Sequence, residues 1–119
     1  MGRERDERDV EGFSIGSVRI ARRVLRTVVD QAVTGVKGVA GVARDAAPLP
    51  AALGRPLPWR GIGLATHGND VAIDLYLIAG HGENLARIGA DAREAVSSAV
   101  EGSLGMRVLV VNVYIQDIL

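Results

Sequence analysis

Two long stretches with helical apolar spacing, set among short stretches that alternate apolar and polar residues, predict an α+β fold. Its form is a two-layer α/β sandwich, with two long helices packed on one face of a mixed sheet of about four strands. The length of 119 residues is that of one domain. Hydrophobic residues make up 48% of the chain and only four are aromatic (Phe13, Trp59, Tyr76 and Tyr114), so the core is expected to be aliphatic.

Residues 1–12 carry dense charge of both signs and little to bury, which predicts a disordered charged tail ahead of a single domain at 13–119. Phe13, Ile15, Val18 and Ile20 give one short, weak strand signal interrupted by Gly16. Residues 21–35 are helical: Val24, Leu25, Val28, Val29, Ala32, Val33 and Val36 form one apolar stripe, and Gly35 and Gly38 supply a stop. Residues 39–44 are short and apolar and fit a strand. All four prolines (Pro48, Pro50, Pro56 and Pro58) fall within 45–60, a long proline-rich surface loop with Trp59 as its expected anchor.

Residues 62–66 and 71–79 read as two strands joined across His67-Gly68-Asn69-Asp70. In the second, Val71, Ile73, Leu75 and Leu77 should face the core, with Ala72, Asp74, Tyr76 and Ile78 half exposed. Asn84 is a fitting N-cap for a second helix with the stripe Leu85, Ile88, Ala92, Val96, Ala99, Val100 and Leu104, stopped by Gly105. Residues 107–118 form the last strand. Strict alternation places Leu109, Val111, Val113 and Ile115 on one face and Val108, Val110, Asn112, Tyr114 and Gln116 on the other.

The formal net charge is zero, which gives no bulk argument for nucleic acid or an anionic membrane. There is no cysteine, which excludes disulfides, thiolate catalysis and Cys-type zinc sites and accords with a reducing cytoplasm. No signal peptide and no spanning stretch of roughly 18 apolar residues is read, so direct membrane insertion is not expected.

Candidate chemistry is sparse. His81 with Glu83 could offer two metal ligands, but no third ligand stands at motif spacing, and His67 reads as a turn residue. Ser97 and Ser98 lie mid-helix with no nucleophile elbow, and Glu94 and Glu101 read as solvated helix residues. Gly35-Val36-Lys37-Gly38 matches a Gly-x-x-Gly nucleic-acid loop, but a strand should follow it, so a helix stop is the better reading. The expectation is therefore no catalytic residue, no cofactor and no metal. The one charge cluster is Arg19, Arg22, Arg23 and Arg26, which could grip phosphate or an acidic partner, although a solvated face explains it more simply. With Trp59 these arginines form the candidate partner-binding surface.

The segments together resemble the alkaline shock protein family of envelope stress-response proteins. The likeness runs from Gly16 onward, apart from the proline-rich loop. It is carried by Gly16-Ser17-Val18-Arg19-Ile20-Ala21, by Val36-Lys37-Gly38-Val39-Ala40-Gly41-Val42, by Val71-Ala72-Ile73-Asp74-Leu75-Tyr76-Leu77-Ile78, and by Val111-Asn112-Val113-Tyr114-Ile115. The chain departs from the family pattern in its 48–59 insertion and in its abundant arginine. The resemblance implies a non-enzymatic protein of cell-envelope homeostasis that self-associates in the cytoplasm and is held at the membrane by a separate anchored protein. The alternative is a small nucleic-acid-binding module using the arginine face, which the scarce aromatics and zero net charge disfavour.

Overall fold

The computed structural model describes residues 13–15, 18–43 and 61–119. The charged tail at 1–12 and the proline-rich loop at 45–60, with Trp59, lie outside the described residues. Among these residues the chain order is β1 (Phe13–Ile15), β2 (Val18–Ile20), α1 (Arg22–Thr34), β3 (Val39–Val42), β4 (Ile62–His67), β5 (Asp70–Ala79), α2 (Leu85–Leu104) and β6 (Arg107–Ile118).

The first segment differs from its sequence reading. β1 and β2 pair antiparallel, Phe13 opposite Ile20 and Ile15 opposite Val18, so the direction reverses between them. Apolar alternation is the same on either side of a reversal, so periodicity alone read one interrupted strand where there are two.

α1 buries Leu25, Val29 and Val33, spaced four residues apart, and is closed by Gly35. Val24, predicted within the stripe, is 41% exposed. One position before Leu25, it is turned by about 100° around the axis and leaves the buried seam. α2 begins at Asn84, whose side chain accepts a hydrogen bond from the Arg87 backbone N–H at 3.1 Å. It ends at Gly105, whose φ of 70° is left-handed backbone that glycine adopts without strain. Its buried line is Ile88, Ala92, Val96, Val100 and Leu104, with Leu85 39% exposed at the first turn.

β5 is the centre of the main sheet. β6 runs parallel to it along its whole length, from Asp70 opposite Arg107 to Ala79 opposite Ile118. β4 pairs antiparallel with residues 70–75 of β5, and β3 pairs antiparallel with residues 77–79. A strand has two edges, so β3 and β4 lie end to end along one edge and β6 takes the other. The predicted mixed sheet is therefore present. Val71, Ile73, Leu75, Leu77 and Ala79 have no exposed surface and pack in one core with the buried lines of both helices. Each such Val, Leu or Ile side chain contributes about 1.5–3 kcal/mol by burial, the alanines less.

Two positions depart from strict alternation. The β5–β6 register slips between the pairs Val71/Val108 and Ala72/Val110, which leaves Leu109 as a bulge, and again between Leu77/Ile115 and Ile78/Asp117, which leaves Gln116 as another. The first bulge inverts the start of the strand. Val108 packs against the core, while Leu109 is 56% exposed. Tyr76, expected to be half exposed, is 2% exposed and stacks on Tyr114.

Candidate interaction surface

Among the described residues β6 is the last element of the sheet on its side and the longest strand, with 12 residues. Its start is fixed from three directions. The Arg107 backbone N–H donates to the Asn69 carbonyl at 2.9 Å, the Asn69 side-chain amide donates to the Gly105 carbonyl at 3.0 Å, and the Val108 N–H donates to the Glu101 carboxylate at 3.3 Å. Its end is fixed by the Leu119 N–H, which donates to the Ala79 carbonyl at 2.9 Å.

Side chains then reinforce the β5–β6 pairing rung by rung. Arg107 donates from Nε to Asp70 Oδ1 at 3.1 Å and from Nη2 to Asp70 Oδ2 at 2.9 Å, a bidentate pair. These hydrogen bonds hold the Asp70 carboxyl below its usual range and raise Arg107 in turn. Asn112 Nδ2 donates to Asp74 Oδ1 at 2.9 Å. Tyr114 stacks on Tyr76 with ring centroids 4.8 Å apart and planes 14° from parallel. Offset stacking of this kind adds about 0.5–1.5 kcal/mol beyond area burial. The rungs face away from the helices, because the intervening Ile73, Leu75, Val111 and Val113 pack into the core.

The other edge of β6 pairs with no strand among the described residues. The strand and its end also carry four of the exposed large hydrophobic residues: Leu109, Val110, Ile118 and Leu119 at 56%, 45%, 48% and 74%. A long edge strand with apolar side chains is a template for pairing with another chain.

The arginines singled out by sequence differ in their surroundings. Arg22 lies against β4, donating from Nη1 to Thr66 Oγ1 at 3.2 Å and from Nη2 to the Leu64 carbonyl. Arg26 is half-buried, and Arg19 and Arg23 are exposed. Arg22 thus clamps the first helix to the sheet. His67 and His81 are exposed, His67 opposite Asp70 at the end of β4 and His81 in the turn after β5. Among the described residues no group of three His, Asp or Glu side chains could hold a metal ion, and no helix is long and apolar enough to cross a membrane.

Sequence reading missed the β5–β6 ladder, although a signal for it was present. Both strands carry a polar residue two positions before a tyrosine: Asp74 and Tyr76 in one, Asn112 and Tyr114 in the other. Both pairs are 38 positions apart, so a single parallel register brings both rungs together.

Comparison with known proteins agrees with this architecture. Variants of the MamM CTD share the fold at a TM-score of 0.50 and 19% identity, covering 80% of this chain and 95% or 94% of theirs. The chain is 26% identical over 106 residues to the uncharacterized protein Spy1614 of Streptococcus pyogenes, covering 87% of this chain and 88% of the relative. It is 25% identical over 108 residues to the uncharacterized protein YloU of Bacillus subtilis, with the same coverage of 87% and 88%. The sequence model of the alkaline shock protein family, the family that the motifs resemble, matches residues 11–119. That span takes in both helices and every strand described above, and the chain belongs to the alkaline shock protein family, whose function is cell envelope-related.

Proposed function

We propose that this chain is a non-enzymatic protein of the cell envelope stress response that works by self-association and by holding protein partners. On this reading it resides in the cytoplasm, and a membrane-anchored partner brings it to the envelope. The observation that carries the reading is the outer edge of β6: 12 residues of strand, unpaired on one side among the described residues, with Leu109, Val110, Ile118 and Leu119 exposed along it. Monomeric proteins blunt such edges with charge, proline or cover. This strand has one charged residue near each end, Arg107 and Asp117, and nine uncharged residues between them.

The polar side chains of the β5–β6 ladder, Asp70, Asp74, Arg107 and Asn112, are engaged in pairing one strand with the next, which supports a binding role rather than a catalytic one. Static light scattering across a range of protein concentrations tests the proposal. A mass above that of one chain, rising with concentration, is the expected result. A mass of one chain at every concentration overturns it.

A further inference from the structure

We propose that the partner of the β6 edge is the β6 edge of a second copy of this chain, paired antiparallel about a two-fold axis at Asn112. This rests on the self-association reading above and gives it a site, a register and a symmetry.

Charge placement points to the register. β6 has two charged residues, Arg107 at its start and Asp117 near its end. Pairing parallel and in register would set each against its like, which destabilises a strand pair. Antiparallel pairing centred on Asn112 sets Arg107 of each copy opposite Asp117 of the other, so two ion pairs close the two ends of the interface. Shifting the centre by one residue in either direction, to Val111 or Val113, leaves Arg107 opposite Ile115 or Leu119 and removes both pairs.

Arg107 can serve both neighbours. Its hydrogen bonds to Asp70 use Nε and Nη2, and the side chain is still 70% exposed, which leaves Nη1 for the second copy.

Facing residues agree with the same centre. Between the two bulges, residues 110–114 alternate: Val111 and Val113 turn to the core, while Asn112 and Tyr114 lie on the outer ladder. A two-fold at Asn112 places Val111 opposite Val113 on the helix side. It places Val110 opposite Tyr114 and Asn112 opposite itself on the other side. Facing residues on paired strands project to the same side, so a centre between two residues would set inward against outward positions. The aromatic and β-branched pair of Tyr114 with Val110 is a favourable cross-strand combination. An interface of this kind is isologous, uses up both edges and closes at two copies, joining two sheets into one with all four helices on the same face.

The chain has no cysteine, so single introduced thiols report position without background. Asn112→Cys should give a disulfide-linked dimer in high yield under mild oxidation, because only the residue on the axis meets its own copy. Val110→Cys and Ile118→Cys should not link, being several residues from their own copies.

Charge exchange gives a second readout. Arg107→Asp and Asp117→Arg, each alone, should weaken association by at least about tenfold. Mixing the two variants restores opposite charges at both ends and should recover it, while Asp91→Asn on α2 should leave it intact. If the protein associates but Asn112→Cys does not link and the mixture does not recover, this interface is overturned while self-association stands. If the unmodified chain is monomeric at every concentration, both are overturned.

Discussion

Gly61 sits at a φ of 76° immediately before β4, and its surroundings leave no room for a side chain. A Cβ there would run into Val42 Cγ1 and lie 2.8 Å from the Ala43 carbonyl oxygen. The backbone at this point is also committed. The Tyr76 N–H donates to the Gly61 carbonyl at 2.9 Å, and the Ala43 N–H donates to the Tyr76 carbonyl at 2.7 Å. Gly61→Ala should therefore cost the left-handed backbone penalty and an overpacking penalty together, about 2–5 kcal/mol, read as a lower urea midpoint. Gly68, also at positive φ but with open space around it, should cost less on the same substitution. The Asp70–Arg107 pair makes a different prediction at this scale. A carboxyl whose folded pKa is depressed contributes stability above its unfolded value, here 3.8, and loses it as pH falls through the lower folded value. Whatever the pair contributes is thus in place at neutral pH. An NMR titration should find Asp70 ionising below the ordinary aspartate range, with Arg107→Gln returning it there.

The elements show how far periodicity carries a sequence reading. Both helices were legible because Leu25, Val29 and Val33, and Ile88, Ala92, Val96 and Val100, repeat at helical spacing and end in glycine. The hairpin β4–β5 was legible from its turn residues, and its observed turn lies at Gly68 and Asn69. What alternation could not carry is any change of phase. β1 and β2 looked like one strand, and the bulge at Leu109 turned it away from the face that alternation shares with the buried Val111. Pairing registers were likewise hidden, since each strand fixes its own faces but not its neighbour, and the ladder of Asp70, Asp74 and Tyr76 against Arg107, Asn112 and Tyr114 emerges only in the fold. The setting of Arg22 was hidden for a related reason: it reads as a surface cation until β4 is placed beside it. Paired substitutions test the bulge. Leu75→Ala empties a side chain with no exposed surface and should cost about 2–5 kcal/mol. Leu109→Ala, in dilute protein, should change stability by no more than about 0.5 kcal/mol. Strict alternation would have made both core substitutions.

Across the whole molecule, the sheet is asymmetric about β5. One side holds two strands in tandem with a break between them, and the other holds β6 alone and continuous. β5 is hydrogen-bonded on both edges and buried beneath both helices, so its amides can exchange only when the domain opens. β6 amides that point toward β5 share that protection, whereas those that point outward meet no strand among the described residues, although the Val108 and Ile118 N–H groups donate to the Glu101 and Asp117 carboxylates. Hydrogen exchange should thus rank β5 as the slowest strand and show β6 alternating fast and slow along its length at low concentration. If β6 meets a second β6, the outward amides become ladder hydrogen bonds. The fast members of the alternation should then slow as concentration rises, while β4, which the interface leaves alone, should not change. Association through the helices or through β3 and β4 would leave the β6 alternation as it was. The experiment therefore reports which edge is used and not merely that the protein associates.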